Sequence, residues 1–141
     1  MKKAHAGVAS LSVLALAACV PLKPLMLGPA AGAPPVTCDT DCNKDWDRAR
    51  FWVVKHSQLK IETANDVLVE TYSPADAAPS YGFSVIKDPA GAGRFTIRLS
   101  MHCGTPLGCD PSQSDIAAAF NYFVATTEDV LDNIEHGKAI R

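Results

Sequence analysis

From Asp41 onward the apolar positions follow two periods, one helical and one of two residues. Trp46, Ala49, Val53 and His56 fall on one arc with Trp52 beside them, which predicts a helix over Asp41–Ser57. Thr40, Asp41 or Asn43 is placed to cap its start. Phe51 points away from that arc, among Asp47, Arg48 and Lys55. Alternation then takes over. Leu59, Ile61 and Thr63 alternate with Lys60 and Glu62, and Asn65-Asp66 suits a turn because both residue types tolerate positive φ. Val67 to Tyr72 reads as the returning strand, and Ser73 to Ser80, with Pro74 and Pro79, as a loop. Tyr81, Phe83 and Val85 predict a third strand, and Asp88 to Gly93 a turn. Phe95, Ile97, Leu99 and Met101 alternate with Thr96, Arg98, Ser100 and His102, the clearest strand pattern in the chain. Cys103 to Pro111 is a Gly/Pro loop. Beyond it, Ile116, Phe120, Phe123, Thr127, Val130, Leu131 and Ile134 share one helical face. Ser112 or Ser114 is expected to cap that helix, with Asp115 in its first turn and Gly137 as its stop.

One apolar and one polar face per strand suits an antiparallel sheet covered on one side. The expected fold is therefore α+β: a two-layer domain in which a four-stranded antiparallel meander carries an N-terminal and a C-terminal helix on one face.

The first nineteen residues have a different character. Met1-Lys2-Lys3 is basic, and Val8 to Ala17 is uncharged and apolar except for Ser10 and Ser12. A membrane-spanning helix needs roughly 20 apolar residues, so this stretch reads as an export signal. Leu16-Ala17-Ala18 stands immediately before Cys19, a pattern that resembles the lipobox of bacterial lipoproteins. The resemblance implies diacylglycerol on the Cys19 thiol, cleavage before it and acylation of the new amine. It implies a cell-envelope location with the domain in the periplasm. Val20 follows the cysteine, and the absence of an aspartate there favours the outer membrane over the inner. The expected organisation is a signal peptide over 1–18, a lipidated linker over 19–37 and a globular domain over 38–141. Prolines 21, 24, 29, 34 and 35 lie in the linker among Ala and Gly, giving a reach of roughly 50 Å. The globular part resembles small proteobacterial lipoproteins of unassigned activity at Trp52-Val53, His56-Ser57, Lys60-Ile61, Thr71-Tyr72 and Cys103…Cys109-Asp110-Pro111.

Charge narrows the partners. Loss of residues 1–18 removes Lys2 and Lys3, so the formal charge of −2 becomes −4. A mildly acidic domain lacks the basic footprint of a nucleic-acid binder, and no polybasic stretch holds anionic lipid. Membrane attachment is thus expected through the lipid on Cys19.

Four of the five cysteines remain after lipidation. In an oxidising compartment an even number reads first as disulfides. Cys38–Cys42 and Cys103–Cys109 are the favoured pairs, and a crossed pairing that ties the first helix to the last loop is the rival. The alternative chemistry is a periplasmic thiol or metal site for copper or zinc, which favour thiolate and imidazole. Cys38 to Cys42 is a CxxxC segment, and Met101-His102-Cys103 groups three ligand types, although neighbours on a strand point to opposite faces. The chain contains no Gly-x-Ser-x-Gly, HExxH or phosphate-loop motif. No catalytic residue, cofactor or metal is assigned. Arg98 and His102 are the first choice for a ligand face, and Phe51 for a partner contact. A non-catalytic module that binds an envelope protein or the cell wall is the leading expectation.

Overall fold

The computed structural model describes residues 34–39 and 42–135. The expected signal peptide, Cys19, most of the expected linker, the candidate capping positions Thr40 and Asp41, and Gly137 lie outside them. The chain order is β1 (Val36–Cys38), α1 (Cys42–His56), β2 (Ile61–Ala64), β3 (Leu68–Thr71), β4 (Tyr81–Gly91), β5 (Arg94–Cys103), α2 (Gln113–Thr126) and α3 (Leu131–Glu135). The predicted meander is present as β2-β3-β4-β5, all antiparallel. The sheet nevertheless has five strands, not four, in the order β1-β5-β4-β3-β2. The extra strand comes from the end of the expected linker: Val36 pairs with Ile97, Thr37 with Thr96 and Cys38 with Phe95.

Alternation sets the two faces of the sheet. Tyr81, Phe83 and Val85 of β4, Val69 of β3 and Ile97 of β5 are buried under the helices. From α1 the buried residues are Cys42, Trp46, Ala49, Trp52 and Val53, one arc at helical spacing. Asn43 lies inside this helix and does not cap it. Trp52 sits at the centre, its ring edge-on to Phe120 at 5.2 Å and to Phe83 at 5.7 Å. Such tilted ring pairs suit the aromatic quadrupole.

The β2–β3 turn lies where expected, but Asn65 and Asp66 do not take the positive φ on which that expectation rests; instead Asn65 Oδ1 accepts the Val67 and Leu68 N–H groups, each at 2.9 Å. The β4–β5 turn is tighter than the Asp88–Gly93 expectation. Asp88 and Pro89 still pair with Thr96 and Phe95, and the chain reverses over Gly91 to Gly93, all three residues having positive φ. Pro89 is tolerated inside β4 because β3 pairs with β4 only from Ser84 to Ile86. Past Lys87, whose N–H still donates to Val67 O at 2.9 Å, no ladder pairing with β3 remains on that edge, and a missing N–H costs no ladder bond.

The last helix is the second correction. Ser112 is its cap: Oγ accepts the Asp115 N–H at 3.3 Å and donates to the Asp115 carboxylate at 2.7 Å. The helix stops at Thr126, because Thr127 turns left-handed at φ 70 and gives its N–H to the Phe123 carbonyl. Asp129 Oδ1 accepts the Leu131 N–H at 3.2 Å, and α3 begins there.

At the end of the sheet away from the β4–β5 turn, two loops form one unit. Gly104 donates to Ser80 O, and Ala77 donates to Gly104 O. A Cβ on Gly104 would lie 2.6 Å from Ala75 O and 2.7 Å from Ala78 O. Gly104→Ala is therefore expected to cost about 1–3 kcal/mol, as other overpacked sites do. An unchanged urea midpoint would contradict this close approach.

Candidate functional site

The sheet face away from the helices carries the residues that sequence parity assigned to it. Register places Glu70, Ser84 and Ser100 in one cross-strand row. The next row toward the β4–β5 turn is Leu68, Ile86 and Arg98, and on the other side Gly82 lies opposite His102. With no side chain at Gly82, an open trough of about 200 Å³ forms there. Tyr72, Ser73 and Pro74 wall it on one side and His102 on the other, with Glu70, Ser84 and Ser100 along it. The Pro74 ring and the Tyr72 carbonyl pass so close to Gly82 that a Cβ would meet them at 3.0 and 3.3 Å. Tyr72 is 53% exposed and Ser100 and His102 are exposed.

This arrangement supplies three serine hydroxyls, a carboxylate acceptor, an imidazole and one accessible aromatic ring with its own hydroxyl. It offers hydrogen bonds of both kinds and an apolar plate. Arg98 shares the face but not the trough. It pairs with Asp88 at 2.9 Å, and four residues along a strand separate it from His102 by roughly 13 Å. The two proposed ligand residues therefore do not converge on one small molecule. Glu70, Ser84 and Tyr72 join His102 through register, which no local pattern reveals.

The cysteines are paired locally. Cys38 and Cys42 are bonded with Cα atoms 5.1 Å apart, and Cys103 and Cys109 with Cα atoms 5.9 Å apart. No thiolate is left among the described residues for copper or zinc, and Met101 and Cys103 lie on the opposite face from His102.

A second polar cluster joins α1 to the α2–α3 connection. His56, expected on the apolar arc, packs against Trp52 with ring centroids 4.7 Å apart. Its Nε2–H donates to Asp129 Oδ2 at 2.7 Å, since a carboxylate only accepts. Burial pushes the Asp129 carboxyl upward, but the bonds from Lys55 and His56, the His56 charge and the Leu131 N–H outweigh it. The group is held below its ordinary value. His56, Asp129 and Asp132 have ligand atoms within 4.8 Å of one another, a spacing that would admit a cation. However, the Lys55 ammonium already sits on both carboxylates, at 2.7 and 3.2 Å. The cluster is an ion-pair network, and Lys55 holds the place a metal would need.

Phe51 is 59% exposed, as predicted, with its ring stacked on Phe123 at 6.1 Å. With Val54 it borders an open groove over Ile61, Ala64 and Val69. Among the described residues no helix is long and apolar enough to cross a membrane. No protein-family model, curated protein or solved structure matches this chain.

Proposed function

We propose that the protein is an envelope lipoprotein, anchored through Cys19 and directed to the outer membrane, whose domain binds a cell-wall glycan in the Gly82 trough. The observation that carries the binding reading is the juxtaposition of Tyr72, Glu70, Ser84, Ser100 and His102 on an open sheet face. Hydroxyl and amide ligands need donors and acceptors in close alternation, and a pyranose ring needs an aromatic plate. The lipobox, the mature charge of −4 and the absence of catalytic motifs support a tethered binder over an enzyme or a nucleic-acid protein.

Cosedimentation with purified peptidoglycan tests this reading. Tyr72→Ala and His102→Ala are each expected to weaken binding about tenfold, equivalent to about 1.4 kcal/mol. Phe51→Ala, on the helix layer, is expected to leave binding unchanged. Equal retention of all three variants would overturn the trough as the binding site. Intact-mass measurement of the membrane form tests the anchor: acyl groups are expected on a chain that begins at Cys19.

A further inference from the structure

We propose that the loop closed by Cys103 and Cys109 is a second membrane contact, with Leu107 seated in the lipid surface beside the anchor. This rests on the anchored reading. Leu107 is 96% exposed, against 42–62% for the other exposed large apolar side chains. Its loop is held in one shape. The disulfide closes it, Leu107 N–H donates to Thr105 Oγ1 at 3.2 Å, and Gly108 N–H donates to Thr105 O at 3.2 Å. The buried Tyr81 hydroxyl donates to the carbonyls of Cys109 and Pro111, at 3.2 and 2.9 Å. A leucine that is presented to solvent on so constrained a support is poised to be buried by something else.

The strand directions say what lies nearest. β1 runs antiparallel to β5, with Val36 opposite Ile97 and Cys38 opposite Phe95. The described residues before Val36, Pro34 and Pro35, therefore lead in from the Leu99–Cys103 end of β5, the end that carries Leu107. Only 14 residues, Val20 to Ala33, separate Cys19 from the first described residue, a span of at most roughly 50 Å. The anchor thus draws this end of the domain toward the bilayer first. The residues between the two cysteines, Gly104 to Gly108, carry no charge, and Pro106 beside Leu107 is also exposed. The charged residues of the two loops are Asp76 and Asp110, so the contact fits zwitterionic rather than anionic lipid.

The test uses the full lipidated protein in zwitterionic vesicles with brominated acyl chains. Trp46 and Trp52 are 3% and 0% exposed, so their emission gives a steady background. Leu107→Trp is expected to add a blue-shifted component that the bromines quench. Ala90→Trp, at the exposed β4–β5 turn on the opposite end, is expected to add an unquenched one. Quenching at both positions, or a solvent-like unquenched Trp at position 107 in protein that sediments with the vesicles, would overturn the contact and leave the anchor standing. Unquenched but blue-shifted emission, appearing only with envelope extract, would assign Leu107 to a protein pocket and also overturn it. Protein that carries no acyl mass and stays in the supernatant would overturn the anchor itself, and this proposal with it.

Discussion

Trp52→Ala is expected to cost about 3–5 kcal/mol, the range for deleting a large buried aromatic. Trp52 is fully buried and touches both layers, through Phe120 on α2 and Phe83 on β4. Native domains hold about 5–15 kcal/mol in total, so this one change removes a large share. In a domain of this size each kcal/mol lowers Tm by about 4–8 °C, which thermal denaturation resolves easily. Trp52→Phe separates packing from polarity. The indole Nε1 of Trp52 has no hydrogen-bond partner, so phenylalanine removes an unsatisfied donor along with some volume. Its loss is expected to be well below that of alanine. Equal losses for the two variants would mean that the indole N–H contributes a bond the structure lacks.

Asp129→Ala is expected to cost about 1–3 kcal/mol, because it leaves a buried donor without its acceptor. The His56 side chain is only 6% exposed, and Asp129 also receives Lys55 and the Leu131 N–H. Asp129→Asn keeps an acceptor and removes the charge, so its loss at neutral pH is expected to be smaller. The two variants also differ from the wild type in acid. A carboxyl held below its ordinary value stabilises the fold fully above about pH 4. That contribution drains away as pH falls through the lower folded-state value. Urea midpoints measured across this acid range are expected to fall for the wild type by an increment that Asp129→Asn lacks. Parallel curves would remove Asp129 from the acid response.

The meander was legible because each of its strands alternates within itself and its turns are local. Phe95, Ile97, Leu99 and Met101 needed no partner to declare their face, and Asn65 carried its own turn chemistry. β1 was not legible. Val36-Thr37-Cys38 is too short to show a period, follows two prolines, and is a strand only because β5 offers a free edge about sixty residues later. The break at Thr127 was hidden for another reason. The apolar positions from Ile116 to Leu131 keep helical phase across it, so periodicity passes straight through. What marks the break is local: Thr127 in a left-handed conformation and Asp129 capping the next turn. Of the candidate site, strand parity revealed that Arg98 and His102 share a face. It could not reveal that Glu70 and Ser84 stand in line with Ser100, since that depends on register between strands. The pairing of His56 with Asp129 spans 73 positions and has no local trace.

The Cys38–Cys42 bond also decides how the domain bears a load. Tension arriving along the residues before Val36 meets β1 first, and three ladder positions at a sheet edge would unzip under little force. The sulfur bridge ties Cys38 to the first residue of α1, whose tryptophans are locked between the two layers. Beyond Cys38 the pull passes through the bridge straight into a helix whose inner face is buried against the sheet, so β1 can peel away without the rest of the fold yielding.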